Sequence, residues 1–332
     1  MRAWQVSTLG EPADVMTLVE APTPQVRPGH VLVDVLATAL NFPDVLMARG
    51  LYQVRPPLPF VPGIEVCGRV VEVGAGVVGC RVGDRVVGMP VPQQGGLAEQ
   101  ALLPAEALFA APESLDDAEA AALTVAYQTA YVGLTRRAAL RPGETVLVHA
   151  AAGGVGAAAV QVAKALGATV IGVVGSAAKA EAAVAAGADH VVDRSRVDLV
   201  AALKEVVGTA GVDVVFDPVG GAAYDVSTKV IAFEGRIVVV GFTSGTIPTP
   251  ALGHALVKNY SIVGLHWGLY LQRDHAVADD AHAVLLRWVA QGLVRPAVSE
   301  RVPFAEAADA LARLAAGRTT GRVVVGPASP TS

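Results

Sequence analysis

The sequence predicts an α/β protein in two parts: a doubly wound parallel sheet, and a β-rich domain that the chain leaves and later re-enters. Three observations carry this. From residue 145, strand-like runs at 145–149, 169–174, 190–192, 212–216 and 236–240 are separated by Ala-rich segments of helical length. That alternation is the rhythm of a parallel sheet with helices on both faces. Before about residue 120, short β-rich runs such as "HVLVDVLATAL", "GRVVEVGAG" and "GLAEQALLP" follow one another between Gly and Pro, as in a compact, barrel-like β domain. After residue 266 the pattern changes again, with a helical "DDAHAVLLRWVAQGLV", a strand in "RPAVSERVPF", a helical "AEAADALARLAAG" and a last strand in "GRVVVG". This tail is expected to complete the first domain, giving boundaries at 1–123, 124–265 and 266–332. The closing "PASPTS" reads as a frayed terminus.

Composition sets the outer limits. A chain of 332 residues, 53% of them hydrophobic, can bury the cores of about two domains. A net charge of −5 without a long basic block argues against nucleic acid as the main partner. The opening "MRAWQVSTLGEP" lacks an apolar core of signal-peptide length, and Gly, Pro or charge interrupts every later apolar stretch. A cytoplasmic protein without a membrane segment is expected. Cys67 and Cys80, the only cysteines, match no metal-binding spacing and read as two reduced thiols in or near a core.

The segment "HAAAGGVG", residues 149–156, joins the first strand of the parallel sheet to a helix whose Val155, Ala159, Val162, Ala163 and Leu166 share one face. Aligned on G-x-G-x-x-G, it places Ala151, Gly153 and Gly156 at the three special positions. Alanine at 151 is tolerable if its φ is negative. The N–H groups at the helix start, from Gly154, Val155 and Gly156, would then hold a pyrophosphate against the positive end of the helix dipole. At the end of the second strand, where an Asp or Glu would bond the ribose hydroxyls of NAD, stand Gly175, Ser176 and, one turn later, Lys179. A small polar residue and a lysine suit the 2′-phosphate of NADP, which a carboxylate would repel. Arg194, just after the third strand, adds a second cation. A solvated helix face and loop is the alternative for Lys179 and Arg194. "FDPVGG" (216–221) and "VVVGF" (238–242) end strands at the carboxyl edge of the sheet, and Gly241 and Phe242 are expected by the nicotinamide; ordinary turns are the alternative.

Seven segments in order, "NFPDVLMARGLY", "PFVPGIEVCGRVVEVG", "VGDRVVG", "LTVAYQTAY", "HAAAGGVG", "FDPVGG" and "GRVVVG", resemble the zinc-independent quinone oxidoreductases of the medium-chain dehydrogenase/reductase superfamily. The resemblance implies a Rossmann domain, a discontinuous GroES-like β-barrel catalytic domain and NADPH as cofactor. In the zinc enzymes of that superfamily the metal ligands fall where this chain has Asn41, Ile64 and Val125; isoleucine and valine offer no lone pair, so a tetrahedral zinc site cannot be built there. The resemblance further implies Asn41 and Tyr52 at the mouth of the nicotinamide pocket, with Asn41 hydrogen-bonding an acceptor oxygen. For Asn41 an Asx turn is the alternative, and for Tyr52 plain packing. It implies Thr129 at the nicotinamide carboxamide and Arg318 at the cofactor phosphates. Asp44 and Glu65 are expected to tie the β domain together. Arg194 departs from family members that carry tyrosine there. None of the seven histidines falls into a nucleophile or metal pattern.

The expected activity is NADPH-dependent reduction of quinones by direct hydride transfer, the acceptor being held against the nicotinamide between the two domains. An enone or enoyl-thioester reductase on the same scaffold would also need a proton donor and a basic entrance for a CoA phosphate, which Arg49 and Arg55 keep open. A non-catalytic NADPH-binding protein is the alternative of another class. The edge strand in "YSIVGL" (260–265) suggests a homodimer.

Overall fold

The computed structural model describes residues 1–328; the expected frayed end falls partly in residues 329–332, outside the described residues. The chain forms two compact units, one from residues 1–125 with 298 onward, the other Ala126–Ala297. Among the described residues no helix is long and apolar enough to cross a membrane.

The first unit is built on a seven-stranded sheet. Val298–Val302, Arg322–Val325, His30–Ala39, Val66–Val73, Arg85–Gly88 and Leu108–Ala110 lie in that order, with Gln100–Pro104 also pairing His30–Ala39. His30–Ala39 is the long central strand, and its VLV core (Val31, Val33, with Val66 and Val70 opposite) forms one buried cluster. The tail returns as a strand, the helix Ala307–Ala315 and a parallel strand, adding Phe304, Leu311, Val323 and Val325 to a second cluster around Phe60, Met47 and Leu97.

The second unit holds a six-stranded sheet whose pairs are all parallel, in the order His190–Asp193, Thr169–Val174, Thr145–His149, Val212–Asp217, Ile231–Val239, Ser261–Gly264. The strands run outward in both directions from Thr145–His149 and Val212–Asp217. Where the order reverses, the helices leave on opposite faces and open a crevice at the carboxyl ends of those two strands. The helix Gly154–Ala165 buries more than the single face expected: Ala157, Ala158 and Val160 are also covered, because its alanines let it sit closely on the sheet.

One boundary is corrected. Residues 266–297 belong to the second unit, and the return to the first begins at Val298. The helix His275–Ala290 buries Ala278, Ala281, His282, Leu285 and Val289. Trp288 meets Tyr131 edge-on at 5.5 Å, and the Arg295 carbonyl accepts from Tyr127 Oη (2.9 Å) and Gln161 Nε2 (3.0 Å). The strand-helix-strand pattern after residue 298 is local, but the partner of the preceding helix is set by long-range packing.

Candidate active site

In the second unit, the turn after Thr145–His149 sets the first part of the site. Ala151 does not have a positive φ; the strained residue is its neighbour, Ala150, at φ 51°. Ala151 is accommodated from the side: a Cβ placed on Gly172 of the adjacent strand would fall 2.9 Å from the Ala151 methyl, so that strand must be bare there. Gly156 packs directly on the Ala150 carbonyl, and a Cβ at 156 would lie closer to that oxygen than side chains come. At Gly153 a Cβ would stand 3.3 Å from the same oxygen. Gly153 begins the helix without a side-chain cap and accepts the Ala157 N–H, at 2.8 Å. The N–H groups of Gly154, Val155 and Gly156 therefore have no partner inside the helix and stay available to an anion.

Beneath the turn, His149 is buried and its Nε2–H donates to Ser227 Oγ (2.9 Å), since Ser227 itself donates to the Ala223 carbonyl. Burial pushes the imidazole down, Asp217 pulling back and Arg194 adding to the fall. His149 is thus a neutral support. Asp217 Oδ1, also buried, accepts the N–H groups of Val219 (2.8 Å) and Gly220 (3.0 Å), shaping the turn after its strand. The Phe242 ring lies over Gly220, where a Cβ would come within 2.8 Å of it, and the Gly241 N–H faces the Asp217 carbonyl at 3.4 Å. Gly241 and Phe242 are therefore brought to the crevice edge beside the Asp217 turn.

At the end of Thr169–Val174 the expected cations converge. The Arg194 N–H is bonded to the Val174 carbonyl (3.0 Å), and its Nη2 stands 3.5 Å from where a Gly175 Cβ would be. Ser176 begins the next helix, its hydroxyl unused as a cap. Burial and the charge of Arg194 both push the Lys179 ammonium down, so the two cations share one neighbourhood. The helix Thr124–Val132 leaves the Thr129 hydroxyl without a hydrogen-bond partner among the described residues.

In the first unit, strand His30–Ala39 leads into the helix Phe42–Ala48 through Asn41, where a buried polar net forms. Asn41 Nδ2 donates to the Ala39 carbonyl (3.0 Å) and to Glu65 Oε2 (2.9 Å), and Oδ1 accepts from Arg322 Nη1 (2.8 Å). Arg322 Nη2 also pairs with Glu65 Oε2, and Glu65 Oε1 accepts the Val125 N–H at 2.6 Å. Asp44 accepts three N–H groups, from Asn41 (2.8 Å), Gly63 (2.9 Å) and Ile64 (3.0 Å). Asn41, Asp44, Glu65 and Arg322 are all at least nineteen-twentieths buried. Burial pushes Asp44 from 3.8 to about 6 despite those bonds, and pushes Glu65 upward while Arg322 pulls it back.

This net corrects one expectation. Asn41 has spent both amide hydrogens internally, so it cannot donate to an acceptor oxygen. Arg318 is exposed at the end of Ala307–Ala315, with its N–H bonded to the Arg313 carbonyl; the arginine built into the net is Arg322, four positions on. Its signal in the sequence is a lone cation opening an otherwise apolar strand, which must find a buried anion. Asp44 and Glu65 do tie the β domain together. Tyr52 packs half-buried on the core cluster, and its phenol, raised by burial and then by the Asp44 charge, has no hydrogen-bond partner among the described residues. Ile64 packs on the same cluster, and no group of three His, Cys, Asp or Glu among the described residues is placed to hold a metal. Cys67 is buried, its thiol pushed up to about 12 by burial, and Cys80 is half-buried; both are free.

A doubly wound sheet with an open helix start and two neighbouring cations, together with a discontinuous β unit, defines a dinucleotide-dependent oxidoreductase of two units. Residues 27–113 match the alcohol dehydrogenase GroES-like domain family, and residues 154–283 match the zinc-binding dehydrogenase family. The quinone oxidoreductase-like protein 2 of Bos taurus is 40% identical over 310 residues, 93% of this chain and 88% of the relative. The human synaptic vesicle membrane protein VAT-1 homolog is 34% identical over 92% of this chain and 81% of its own length. The Escherichia coli quinone oxidoreductase solved with NADPH superposes with a TM-score of 0.90 at 32% identity, covering 98% of this chain and 100% of that one. The chain belongs to the quinone oxidoreductase family of the medium-chain dehydrogenase/reductase superfamily.

Proposed function

We propose that this protein reduces quinones with NADPH and without a metal ion. The observation that carries the reading is the closed net around Asn41. At the three positions where a zinc enzyme of this superfamily holds its metal, Ile64 and Val125 offer no lone pair and the Asn41 amide is consumed by Glu65, Ala39 and Arg322. No Lewis acid can be assembled from these side chains, so the acceptor must be electrophilic by itself, as a quinone is.

The cofactor site fits NADPH on the geometry of this chain. Gly156 and Gly153 leave the helix start bare, Gly154 to Gly156 direct their N–H groups at a pyrophosphate, and Ser176, Lys179 and Arg194 receive the 2′-phosphate. Ala151 keeps the turn tight, Thr129 offers its hydroxyl to the nicotinamide carboxamide, and Gly241 and Phe242 border the ring. NADPH, when bound, supplies the hydride. Tyr52 offers an uncommitted phenol near Asp44. Its raised pKa keeps the phenol protonated, ready to bond the acceptor oxygen as negative charge develops there. Asn41, Asp44, Glu65 and Arg322 hold the base of that loop. A quinol oxyanion is stable enough for water to protonate, so no further acid is required.

The test follows NADPH and NADH oxidation in parallel with simple quinones, 2-alkenals and enoyl-CoA esters. Turnover of quinones, with Tyr52→Phe lowering kcat/KM about tenfold at unchanged NADPH affinity, is the expected outcome. Quinone inactivity beside rapid enoyl-CoA turnover would overturn the reading, and NADPH binding with no turnover of any acceptor would favour a non-catalytic role.

A second copy of this chain completes the assembly in this reading. Ser261–Gly264 is an edge strand, and Leu252, Leu256 and Val257 are exposed on the helix before it. Sedimentation at working concentration showing only monomer would refute the dimer.

A further inference from the structure

The first unit has a surface cleft of about 380 Å³ that the reading above does not use. Its walls include Arg27, Arg55, Gln93 and Gln94, and its apolar lining comes from prolines and valines. No carboxylate lines it. The chain as a whole carries 30 acidic side chains against 25 basic ones. Most arginines of the first unit are paired: Arg2 with Glu99, Arg81 with Asp84, Arg85 with Asp117, Arg301 with Asp116. Arg49, the other cation of the segment after Asn41, is forked onto Glu11 at 2.9 and 2.7 Å. By contrast, Arg27 makes only an Nε bond to His30 Nε2 (3.2 Å), and Arg55 only a long Nε bond to the Tyr52 carbonyl (3.4 Å). Their terminal guanidinium nitrogens have no partner among the described residues.

We propose that this cleft receives the anionic end of the acceptor: a carboxylate, sulfonate or phosphate joined to a flat apolar body. Two guanidinium forks with free amino groups suit a planar or tetrahedral oxyanion, and the Gln93 and Gln94 amides add neutral donors. The proline rings offer a flat apolar wall, and the volume suits a one- or two-ring body. Arg55 lies three residues after Tyr52 and bonds its carbonyl, so the cleft adjoins the loop that presents the phenol. The inference rests on the reading of Tyr52 as the residue facing the acceptor.

The test compares naphthoquinone sulfonate with unsubstituted naphthoquinone, and crotonyl-CoA as the phosphate-bearing arm, in the wild type and in Arg27→Gln and Arg55→Gln. The two arginines sit on different loops, so a local disturbance of the Tyr52 loop by one is controlled by the other. The expected result is a lower KM for the sulfonate than for the neutral quinone, each substitution removing about fivefold of that preference while neutral-quinone kinetics stay unchanged. Added salt should erase the same preference. An arginine-dependent KM for crotonyl-CoA but not for the sulfonate assigns the cleft to phosphate. Equal KM values for both quinones with no arginine dependence in any arm, or a parallel loss for charged and neutral acceptors, would overturn the proposal while leaving quinone reduction in place. Binding of naphthalene sulfonate, followed by titration calorimetry, separates the two readings. If no quinone is reduced yet both substitutions still weaken that binding, quinone reduction fails and the cleft stands.

Discussion

Replacing Lys179 and Arg194 by glutamine should convert a preference for NADPH into indifference between NADPH and NADH. In the structure the Arg194 guanidinium lies over Gly175 and its charge depresses Lys179, so both cations face one small volume. A charge-assisted hydrogen bond to a phosphate is worth about 1.5–3 kcal/mol when sheltered. Lys179 is only partly buried and Arg194 is open to solvent, so a screened value of about 1 kcal/mol each is the better figure. Each single substitution then raises the KM for NADPH about fivefold, and the pair raises it further but departs from the simple product, because the two cations share one phosphate and repel each other. NADH has no 2′-phosphate, and its KM should not rise. The depressed Lys179 adds a pH signature. As pH climbs toward its lowered pKa the ammonium loses its proton, so NADPH affinity should weaken with rising pH in the wild type and not in Lys179→Gln. Initial rates with one fixed quinone and varied NADPH or NADH measure all of this. Parallel changes for the two cofactors, or an NADPH KM within about twofold of wild type in the double variant, would refute the argument.

Gly156→Ala drives a methyl into the Ala150 carbonyl, and should cost about 2 kcal/mol of stability together with most NADPH affinity, read by thermal unfolding and fluorescence titration. Ala150→Gly releases the left-handed strain at φ 51° and should stabilise the protein by about 0.5–1 kcal/mol; an unchanged or lowered Tm would count against it. Asp44 sets a pH dependence of stability. Its carboxyl is raised from 3.8 to about 6, so between those values the folded state holds more protons than the unfolded one. Stability therefore falls as pH rises through that window, by about 3 kcal/mol from this group alone. Denaturant midpoints across the window should show the fall in the wild type and a flatter profile in Asp44→Asn.

The parallel sheet was legible because its signals are local. Each strand is a short apolar run, and the first helices between them are rich in alanine. The cation pair was legible for a similar reason: Lys179 and Arg194 each follow a strand of the same sheet, and adjacent parallel strands bring their carboxyl ends together. Ala151 is free of the positive φ that would have made alanine unsuitable there, as the motif required. Counting against the motif drew attention to Ala151, yet the backbone places the positive φ at Ala150 and relieves Ala151 through Gly172, twenty-one positions away on the neighbouring strand. Arg322 was missed because its partner, Asn41, lies 281 residues earlier. No spacing rule connects them, whereas the burial of a guanidinium in an apolar strand demands such a partner.

By itself the sequence determined the two-part α/β architecture, the place of the dinucleotide turn, the cations where a carboxylate was expected and the apolar residues at two of the three positions where the resemblance puts zinc ligands. These are properties of residue type and short-range order, and chemistry reads them without coordinates. Only the tertiary structure decided that residues 266–297 belong with the parallel sheet, that Asn41 is spent within the protein and that Tyr52 keeps an unspent phenol. A side chain's availability depends on which distant groups have already taken its hydrogen bonds, and that is settled only when the chain has closed on itself.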